Sequence, residues 1–297
     1  MLRKKQGIME TYNDIYLRVR KTLKAAGIES SEFEAKYIVA HSAGKTREQL
    51  LAMNKVFATD PIVKKMIESS VERRLSGEPL AYVLGEWEFY GLPIRVNEHV
   101  LIPRIDTELL AKEAINLLNR KLWQTRMLDL CSGSGCIGLA VAANIPSCRI
   151  VMIDSSEKAL AICRQNMLNT NLSRHITAMD ADILLKPPAI LGEFDVIVSN
   201  PPYIPTEDIK TLDPSVKDYE PMMALDGGED GLDYYHAIAG NWKKLLKPGG
   251  HLALECGIDQ SAAVRYIMKQ NGFADIKTFK DTLGIERVIT GMVMSKK

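Results

Sequence analysis

The sequence predicts an α/β protein of two domains, in which a small helical domain precedes a mostly parallel, seven-stranded sheet. Three observations predict this fold class. From about Tyr12 to Ser76, apolar residues recur at helical spacing. After Glu108, short apolar runs alternate with helical patterns, as they do in βαβ units. Between the two parts lies a short segment with aromatic residues and a Gly/Pro turn, which is typical of a β-hairpin.

The helical domain carries recognisable start and stop signals. Gly27, Gly44 and Gly77 each follow a helical pattern, at the position where a left-handed C-cap favours glycine. Asp60 and Pro61 are typical of an N-cap followed by proline in the first turn. These signals predict a helical domain over residues 1–80.

The predicted hairpin and sheet complete the domain organisation. Gly91-Leu92-Pro93 is the expected turn of a linking hairpin within residues 81–106, and residues 107–297 form the α/β domain. A helix is expected near Glu108 to Leu118. The last two strands have a short connection and are expected to pair antiparallel. The predicted strands are Arg126 to Leu130, Arg149 to Ile153, Ile176 to Met179, Phe194 to Ser199, His251 to Glu255, Ile276 to Lys280 and Arg287 to Val293.

Composition narrows the class of protein. The 38 Lys and Arg almost balance the 37 Asp and Glu, so net charge gives no reason to expect binding to a phosphate backbone. The five cysteines include no CxxC pair, which predicts neither a disulfide framework nor a zinc site, and no metal is expected. The basic start, Met1 to Gly7, lacks the apolar stretch of a signal peptide, and no run reaches the roughly 20 apolar residues of a membrane span. We expect a cytoplasmic protein.

A glycine-rich turn follows the first predicted strand of the sheet. Cys131-Ser132-Gly133-Ser134-Gly135 joins this strand to a helix, so the backbone can approach a ligand closely. Asp154 follows the next strand, about 20 residues beyond the glycines, where a carboxylate can accept hydrogen bonds from both hydroxyls of a ribose. The pattern implies a nucleoside cofactor.

Acidic residues help to choose between two such cofactors. Gly133, Gly135 and Gly138 also satisfy the GxGxxG pattern of nicotinamide enzymes, so the turn alone leaves both open. Asp129 would repel a pyrophosphate, but it can help to hold the cationic methionine portion of S-adenosylmethionine. Asp182, just beyond the third strand, is expected to face the adenine amino group. These acids favour S-adenosylmethionine.

The tetrapeptide Asn200-Pro201-Pro202-Tyr203 follows the fourth predicted strand. The fourth strand is expected beside the first, so the loop faces the cofactor at the switch point of the sheet. The Asn200 side-chain oxygen and the Pro201 carbonyl can accept the hydrogens of an amide, while Pro201 and Pro202 hold their φ angles. Tyr203 can stack on a planar group. The loop predicts methylation of a planar NH₂ group, in an amide or an adenine.

Short motifs in a fixed order extend from the helical domain to the last strand. Besides Asn200 to Tyr203, they are Glu34-Ala35, His41, Gly44-Lys45, Arg73-Arg74, Gly77 to Tyr82, Glu88 to Gly91, Leu101 to Arg104, Thr107-Glu108, Tyr219 to Pro221, Ala224 to Gly228, Asp230 to Leu232 and Glu286-Arg287. Through these residues nearly the whole chain resembles the release-factor glutamine methyltransferase family (PrmC/HemK).

The resemblance implies a Rossmann-like, class I S-adenosylmethionine-dependent methyltransferase domain behind a substrate-recognition domain. The implied substrate is the glutamine of the Gly-Gly-Gln motif in class 1 release factors, modified to N5-methylglutamine, by a monomer that needs no nucleic acid. By position, the cofactor contacts fall to Asp154, Ile183, Asn200 and the turn residues Cys131, Ser132, Gly133, Ser134 and Gly135. Cys131 and Ser132 depart from the family's common Gly-Thr, and Ile183 replaces an aromatic of some relatives.

Three further features carry expectations. Residues 204–231 form a long connection that is expected to act as a lid over the acceptor. Phe89 and the stretch Leu101 to Arg104 are expected to line the acceptor entrance. Cys256 is expected to be a strand-end core residue rather than a nucleophile.

Three alternative functions remain open: an N6-adenine methyltransferase, a nicotinamide-dependent oxidoreductase and a nucleotide-binding adaptor of the translation machinery.

Overall fold

The computed structural model describes residues 10–119 and 124–294, and the basic stretch Met1 to Gly7 lies outside this part of the chain. The chain divides into two compact units, Met1–Gly85 and Glu86–Lys297. The first unit is helical and the second contains all the described strands. Each unit is built around its own buried apolar residues.

The first unit has capped helices, as its sequence predicts. Asp60 accepts a hydrogen bond from the Ile62 backbone N–H and is followed by Pro61 in the first turn. Gly27, Gly44 and Gly77 have φ angles of 84°, 61° and 100°, which confirms the predicted left-handed helix ends. The helices are α1 Tyr12–Ala25, α2 Ser31–Ser42, α3 Arg47–Ala52, α4 Pro61–Leu75 and α5 Leu80–Leu84.

Helix α4 buries little of its apolar surface. Ile67 is its buried residue, whereas Ile62 and Met66 are 68% and 45% exposed. The helical spacing of its apolar residues correctly predicts the helix. It does not show which of two adjacent apolar stripes faces the core, because both stripes satisfy the same period.

The second unit opens with the predicted hairpin. Strands β1 Glu86–Phe89 and β2 Leu92–Arg95 pair antiparallel, with Phe89 opposite Leu92. The turn residues are Tyr90 and Gly91, with φ angles of 52° and 76°, so the predicted turn Gly91-Leu92-Pro93 is wrong at Leu92 and Pro93, which belong to β2 and pair with β1. Positive φ at Tyr90 and Gly91 is the geometry of the tight turn that matches the twist of a hairpin.

A seven-stranded sheet forms the centre of the second unit, in the order β5-β4-β3-β6-β7-β9-β8. Strands β3 to β7 run parallel to one another, and β9 is antiparallel to both β7 and β8, as predicted. The strands are β3 Arg126–Leu130, β4 Arg149–Asp154, β5 Ile176–Asp180, β6 Phe194–Ser199, β7 Leu246–Glu255, β8 Phe273–Lys280 and β9 Glu286–Val293.

The order of the strands reverses between β3 and β6. In a doubly wound sheet this is the point where a crevice opens at the carboxyl ends of the strands. Helix α6 packs against β6, β7 and β9, and α8 packs against β4 and β5. The helices of this unit are α6 Thr107–Asn119, α7 Cys136–Asn144, α8 Glu157–Asn169, α9 Pro214–Lys217, α10 Asp233–Asn241 and α11 Ser261–Gln270.

No helix within residues 10–119 and 124–294 combines the length and the apolar character needed to cross a membrane.

Candidate active site

The glycine-rich turn connects β3 to α7 at the switch point. Cys131, Gly133 and Gly135 have φ angles of 57°, 53° and 81°. At Gly135 a Cβ atom would come within 2.8 Å of the Cys163 Sγ atom, so both backbone conformation and packing favour glycine there. The turn exposes its backbone to a cavity that Cys131, Ser132, Gly133 and Ser134 line.

Asp154 ends β4 and lines the same cavity as the glycine turn. Its Oδ2 atom accepts a hydrogen bond of 2.8 Å from the Gly133 N–H, and its Oδ1 atom accepts one of 2.9 Å from the Ser156 N–H. Burial raises the pKa of Asp154, and these two backbone N–H groups oppose the rise. The carboxyl group is therefore held rigidly, and each oxygen keeps a lone pair for a ligand hydroxyl.

Asp129 lies beneath the turn and does not line the cavity. It is fully buried, and its Oδ2 atom accepts a 3.0 Å hydrogen bond from the Gly138 N–H near the start of α7. Burial raises its pKa to about 7. Its Oδ1 atom has no hydrogen-bond partner within the described residues. The observed bond caps the helix, and the predicted contact with the cofactor remains a prediction.

The predicted adenine contacts follow β5. Ile183 is 2% exposed and lines the cavity, and its backbone carbonyl accepts a 2.8 Å hydrogen bond from the Trp242 indole. Asp182 is exposed and accepts from the Leu184 N–H, outside the residues that line the cavity. The structure therefore brings Ile183, rather than the side chain of Asp182, to the site.

The Asn200-Pro201-Pro202-Tyr203 loop leaves β6 beside the glycine turn. Ser199, the last residue of β6, donates from its hydroxyl to the Leu130 carbonyl at 2.8 Å, which fixes the two strand ends together. Asn200 and Pro202 line the cavity, whereas Pro201 and Tyr203 do not. The loop and the turn thus face one another across a single cavity, as the strand order predicts.

The four residues of this loop have different surroundings. The Asn200 Nδ2 atom donates to the Thr107 Oγ1 atom at 3.3 Å. Pro201 and Pro202 are buried. The Tyr203 carbonyl accepts a 2.8 Å hydrogen bond from the Gln260 Nε2 atom, and burial raises the pKa of its phenol. The bond from Gln260 fixes the backbone of Tyr203. The predicted stacking of the Tyr203 ring on the acceptor remains a prediction.

Residues 204–231 are anchored on the loop that they follow. The Ile204 N–H donates to the Leu225 carbonyl at 3.0 Å, and the Gly227 N–H donates to the Ile204 carbonyl at 2.9 Å. At Gly231, which has a φ of +74°, a Cβ atom would lie 2.3 Å from the Tyr203 carbonyl oxygen. The segment returns closely onto the loop, and Pro221, Met223 and Ala224 line the cavity.

A buried carboxylate ties this segment to the stretch before α6. Glu220 is 5% exposed; its Oε2 atom accepts a 3.1 Å hydrogen bond from the Ile102 N–H, and its Oε1 atom pairs with the Arg104 guanidinium. Such a charge-assisted pair also fixes the direction of both side chains. Of the predicted entrance residues, Leu101, Pro103 and Arg104 line the cavity. His99 and Val100, which precede the predicted stretch, line it as well.

Two other sequence expectations concern residues outside the cavity. Phe89 is 1% exposed and does not line the cavity, so its predicted contact with the acceptor gains no support from its position. Cys256 is fully buried at the end of β7, and burial raises the pKa of its thiol to about 12. A neutral buried thiol is a core residue, as expected, rather than a nucleophile. Within the described residues no cluster of His, Cys, Asp or Glu is arranged to hold a metal ion.

Sequence reasoning missed three residues near the cavity. Thr107 and Tyr234 line it, and Glu255 lies behind Thr107 with a carboxyl group that is 3% exposed. Thr107 and Tyr234 have no local signal, since each begins or belongs to an ordinary helix. Glu255 has one: it is a carboxylate at the carboxyl end of a buried strand next to β6.

Comparisons with known proteins cover both units. A model of the PrmC N-terminal domain matches residues 14–85, and a model of the methyltransferase small domain matches residues 106–212. A release factor glutamine methyltransferase of Geobacter sulfurreducens is 39% identical over 279 residues, which are 92% of this chain and 94% of that protein. One of Caulobacter vibrioides is 38% identical over 278 residues, which are 91% of this chain and 92% of that protein.

Among solved structures, the hMettl16 catalytic domain in complex with MAT2A 3'UTR hairpin 1 has a TM-score of 0.55 and 16% identity. The match covers 80% of this chain and 84% of the hMettl16 chain, and it shows that the two share a fold. The identity to the two bacterial relatives extends over both units, which decides against a nicotinamide enzyme as the origin of the GxGxxG pattern. The chain belongs to the release factor glutamine methyltransferase family and is an S-adenosylmethionine-dependent methyltransferase.

Proposed function

We propose that this chain transfers a methyl group from S-adenosylmethionine to the side-chain amide nitrogen of the glutamine in the Gly-Gly-Gln motif of class 1 release factors. One observation carries the proposal at the site. Asn200 and Pro202 line the same cavity as the glycine turn and Asp154. An acceptor amide held by the loop therefore lies in the cavity that holds the methyl donor.

The residues of the turn fit the donor. Asp154 presents a fixed carboxyl group to the hydroxyls of a ribose. The Ser132 hydroxyl is buried without a hydrogen-bond partner among the described residues, as a polar group reserved for a ligand would be. Ile183 offers an apolar face to adenine. When bound, S-adenosylmethionine supplies an electrophilic methyl group on its sulfonium.

The acceptor loop supplies positioning. An amide nitrogen is a poor nucleophile, because its lone pair is delocalised into the carbonyl group. Asn200 Oδ1 and the Pro201 carbonyl each accept one hydrogen of the glutamine NH₂ group, which directs the lone pair toward the methyl group. The nitrogen would lose one proton to water as the N–C bond forms and the methyl–sulfur bond of the donor breaks. Orientation and electrostatics therefore account for the rate without a dedicated base.

The helical unit is proposed to recognise the release factor. Ile62 and Met66 lie one turn apart on α4 and are 68% and 45% exposed. Exposed apolar side chains on one helix face are typical of a protein-binding surface. We also propose the domain bounds: residues 1–80 form the recognition domain, 81–106 the linker and 107–297 the methyltransferase domain. A monomeric enzyme that needs no nucleic acid and a cytoplasmic location belong to the same proposal.

The test is methylation of a release factor in vitro. The chain is incubated with S-adenosylmethionine and a class 1 release factor, and the Gly-Gly-Gln peptide is examined by mass spectrometry. One added methyl group on the glutamine is expected, and a release factor with Gln→Asn in that motif is the matched control. An unmodified glutamine beside methylated adenine in a parallel DNA reaction would show that the acceptor is a base.

A further inference from the structure

A threonine hydroxyl and a buried carboxyl group lie behind the Asn200 side chain. Asn200 follows β6, Glu255 ends the neighbouring strand β7, and Thr107 begins α6, which packs against both strands. The Asn200 Nδ2 atom lies 3.3 Å from Thr107 Oγ1. The Thr107 side chain also interacts with the carboxyl group of Glu255, and we take this interaction to be a hydrogen bond. The three residues form one row of polar groups that leads from the cavity into the core.

The burial of this row calls for an explanation. Thr107 and Glu255 are 2% and 3% exposed, and the Glu255 Oε2 atom has no hydrogen-bond partner within the described residues. An incompletely satisfied carboxyl group in a core lowers stability, so an apolar residue would serve the fold better. Thr107 also lines the cavity. The row therefore has a use at the site.

The direction of the hydrogen bonds follows from the donors and acceptors available. An ionised carboxylate only accepts, so the single hydroxyl hydrogen of Thr107 is donated to Glu255. Thr107 Oγ1 then offers only lone pairs to Asn200, and only the Nδ2 atom of that amide can donate to them. Asn200 Oδ1 is left free to accept from a ligand. Without this row, rotation of the amide by half a turn would present a donor to the acceptor NH₂ group instead.

We propose that Thr107 and Glu255 are positioning residues, which hold the Asn200 amide in the orientation that directs its Oδ1 atom at the acceptor nitrogen. The inference rests on the proposed function for the identity of the acceptor. The orientation itself serves any planar NH₂ group, because each offers hydrogens that need an acceptor oxygen.

Ionisation of Glu255 makes this orientation dependent on pH. Burial raises the pKa of Glu255 to about 7, while the Thr107 hydrogen bond and the charges of Arg287 and Arg104 oppose the rise and Asp106 adds to it. The phenols of Tyr203 and Tyr235 and the thiols of Cys136 and Cys256 also interact electrostatically with this group, and burial raises the pKa of all four. Above the pKa of Glu255, the ionised carboxylate fixes the direction of the hydrogen bonds that run from Asn200 through Thr107 to Glu255.

Below the same pKa, the direction is lost. A protonated Glu255 can donate to Thr107, whose hydroxyl can then donate to Asn200 and select the other amide orientation. Methyl transfer is therefore expected to slow as the pH falls through about 7. Glu255→Gln keeps an acceptor oxygen but cannot ionise, so it should lose this part of the pH profile.

The main experiment compares Thr107→Val with Thr107→Ser. Valine keeps the shape but removes the hydroxyl, and we expect kcat to fall roughly tenfold to a hundredfold, the cost of a misplaced reacting group. Serine keeps the hydroxyl and should restore kcat to within about threefold of wild type. Thr170→Val, which removes a side-chain hydrogen bond at the end of α8, is the matched control and should retain full activity. Affinity for S-adenosylhomocysteine should change by less than about twofold in all three, because the row adjoins the acceptor loop.

A second measurement does not depend on activity. Because the Thr107 hydrogen bond lowers the pKa of Glu255, Thr107→Val should raise that pKa, measured by ¹³C NMR titration of the labelled Glu255 carboxyl group. An unchanged pKa would show that the two side chains do not interact. Retained kcat in Thr107→Val, or a loss that serine does not restore and that follows the melting temperature, would equally overturn the proposal.

The acceptor is chosen so that the two hypotheses can fail separately. Wild type is first tested on a release factor and on adenine-containing DNA, and the variants are compared on whichever is methylated. Methylation of DNA alone overturns the proposed function and leaves the positioning comparison intact. Methylation of the release factor with equal rates in Thr107→Val and wild type overturns the positioning proposal alone, and methylation of neither overturns both.

Discussion

The two halves of the cavity are built in different ways. The cofactor half consists of the turn Cys131 to Gly135 and Asp154, and it is held by the 2.8 Å bond from the Gly133 N–H to the Asp154 carboxyl group. The acceptor half consists of Asn200, Pro202 and Thr107, with Glu255 behind Thr107, and its key contact joins Asn200 to Thr107, which lie 93 positions apart in the chain. Backbone geometry forms the first half. Side chains assembled from three elements form the second.

This difference separates binding from rate. A half made of a turn and one carboxylate should set how tightly the cofactor binds. A half made of oriented side chains should set how fast a bound acceptor reacts, because its contacts are with the reacting group, whose bonding and charge change in the transition state. Substitutions in the two halves are therefore expected to affect different measured quantities.

The largest effect is expected for Asn200→Ala. The substitution removes the side-chain oxygen that accepts from the acceptor amide, and kcat should fall about 10²–10³-fold, as for loss of an oriented transition-state hydrogen bond. Affinity for S-adenosylhomocysteine, measured by calorimetry, should change by less than about threefold if this residue acts on the acceptor alone.

Asn144→Ala is the matched control for that substitution. Asn144 is exposed at the end of α7, where its side chain donates a hydrogen bond to the Ala140 carbonyl. It should keep full activity. Equal losses of kcat and cofactor affinity in Asn200→Ala would mean that Asn200 is mainly a cofactor ligand, and the two halves would not be separable.

The next largest effect belongs to the cofactor half. Asp154→Asn replaces a charged acceptor of the ribose hydroxyls, and the Kd for S-adenosylhomocysteine should rise roughly 10–100-fold, the value of one or two hydrogen bonds to a charged group. At saturating S-adenosylmethionine, kcat should stay within about threefold of wild type. Asp180→Asn, at the exposed end of the adjacent strand, is the control, because Asp180 lies opposite Asp154 and outside the cavity lining. A Kd that changes equally in both variants would assign the effect to general charge.

The same difference explains what the sequence could predict. The turn, Asp154 and the Asn200 loop follow strands in a fixed order, so their meeting at the switch point follows from the βαβ pattern alone. Glu255 also ends a strand beside β6, but its contact with Thr107 could not be predicted in this way. Their contact depends on how α6 crosses β6 and β7, and helix packing leaves no short motif in the sequence.

The surroundings of single side chains follow less directly from the sequence than the helices and strands do. Asp182 and Ile183 are neighbours, and only the backbone path after β5 decides that Ile183 faces the cavity while Asp182 faces solvent. Asp129 illustrates the same limit, because its helix-capping bond to Gly138 depends on the exact start of α7. Phe89 follows the expected strand, but burial on one face of the hairpin removes it from the cavity.

A smaller effect is expected where residues 204–231 pack against the acceptor loop. Gly231→Ala would place a Cβ atom 2.3 Å from the Tyr203 carbonyl oxygen and shift the segment over the acceptor loop. We expect kcat/KM for the release factor to fall about tenfold through misplacement of the loop, with little change in cofactor affinity. Gly284→Ala is matched to it, because Gly284 has a φ of +82° and no atom within 4 Å of an added Cβ. Equal losses in both variants would show that backbone strain, and not contact with the loop, is responsible.

The smallest effect should come from Cys131→Gly, within the cofactor half. Cys131 has a φ of 57°, which costs a non-glycine residue about 1–2 kcal/mol, while glycine increases the freedom of the unfolded chain by a similar amount. The free energy of unfolding should therefore change by less than about 1 kcal/mol, as in the control Asn171→Gly, where an exposed residue has a φ of 58°. If backbone atoms form this half, the Kd for S-adenosylhomocysteine should change by less than about threefold. A loss of affinity above about tenfold in Cys131→Gly alone would show that a side chain binds the cofactor here, so that the two halves are built alike.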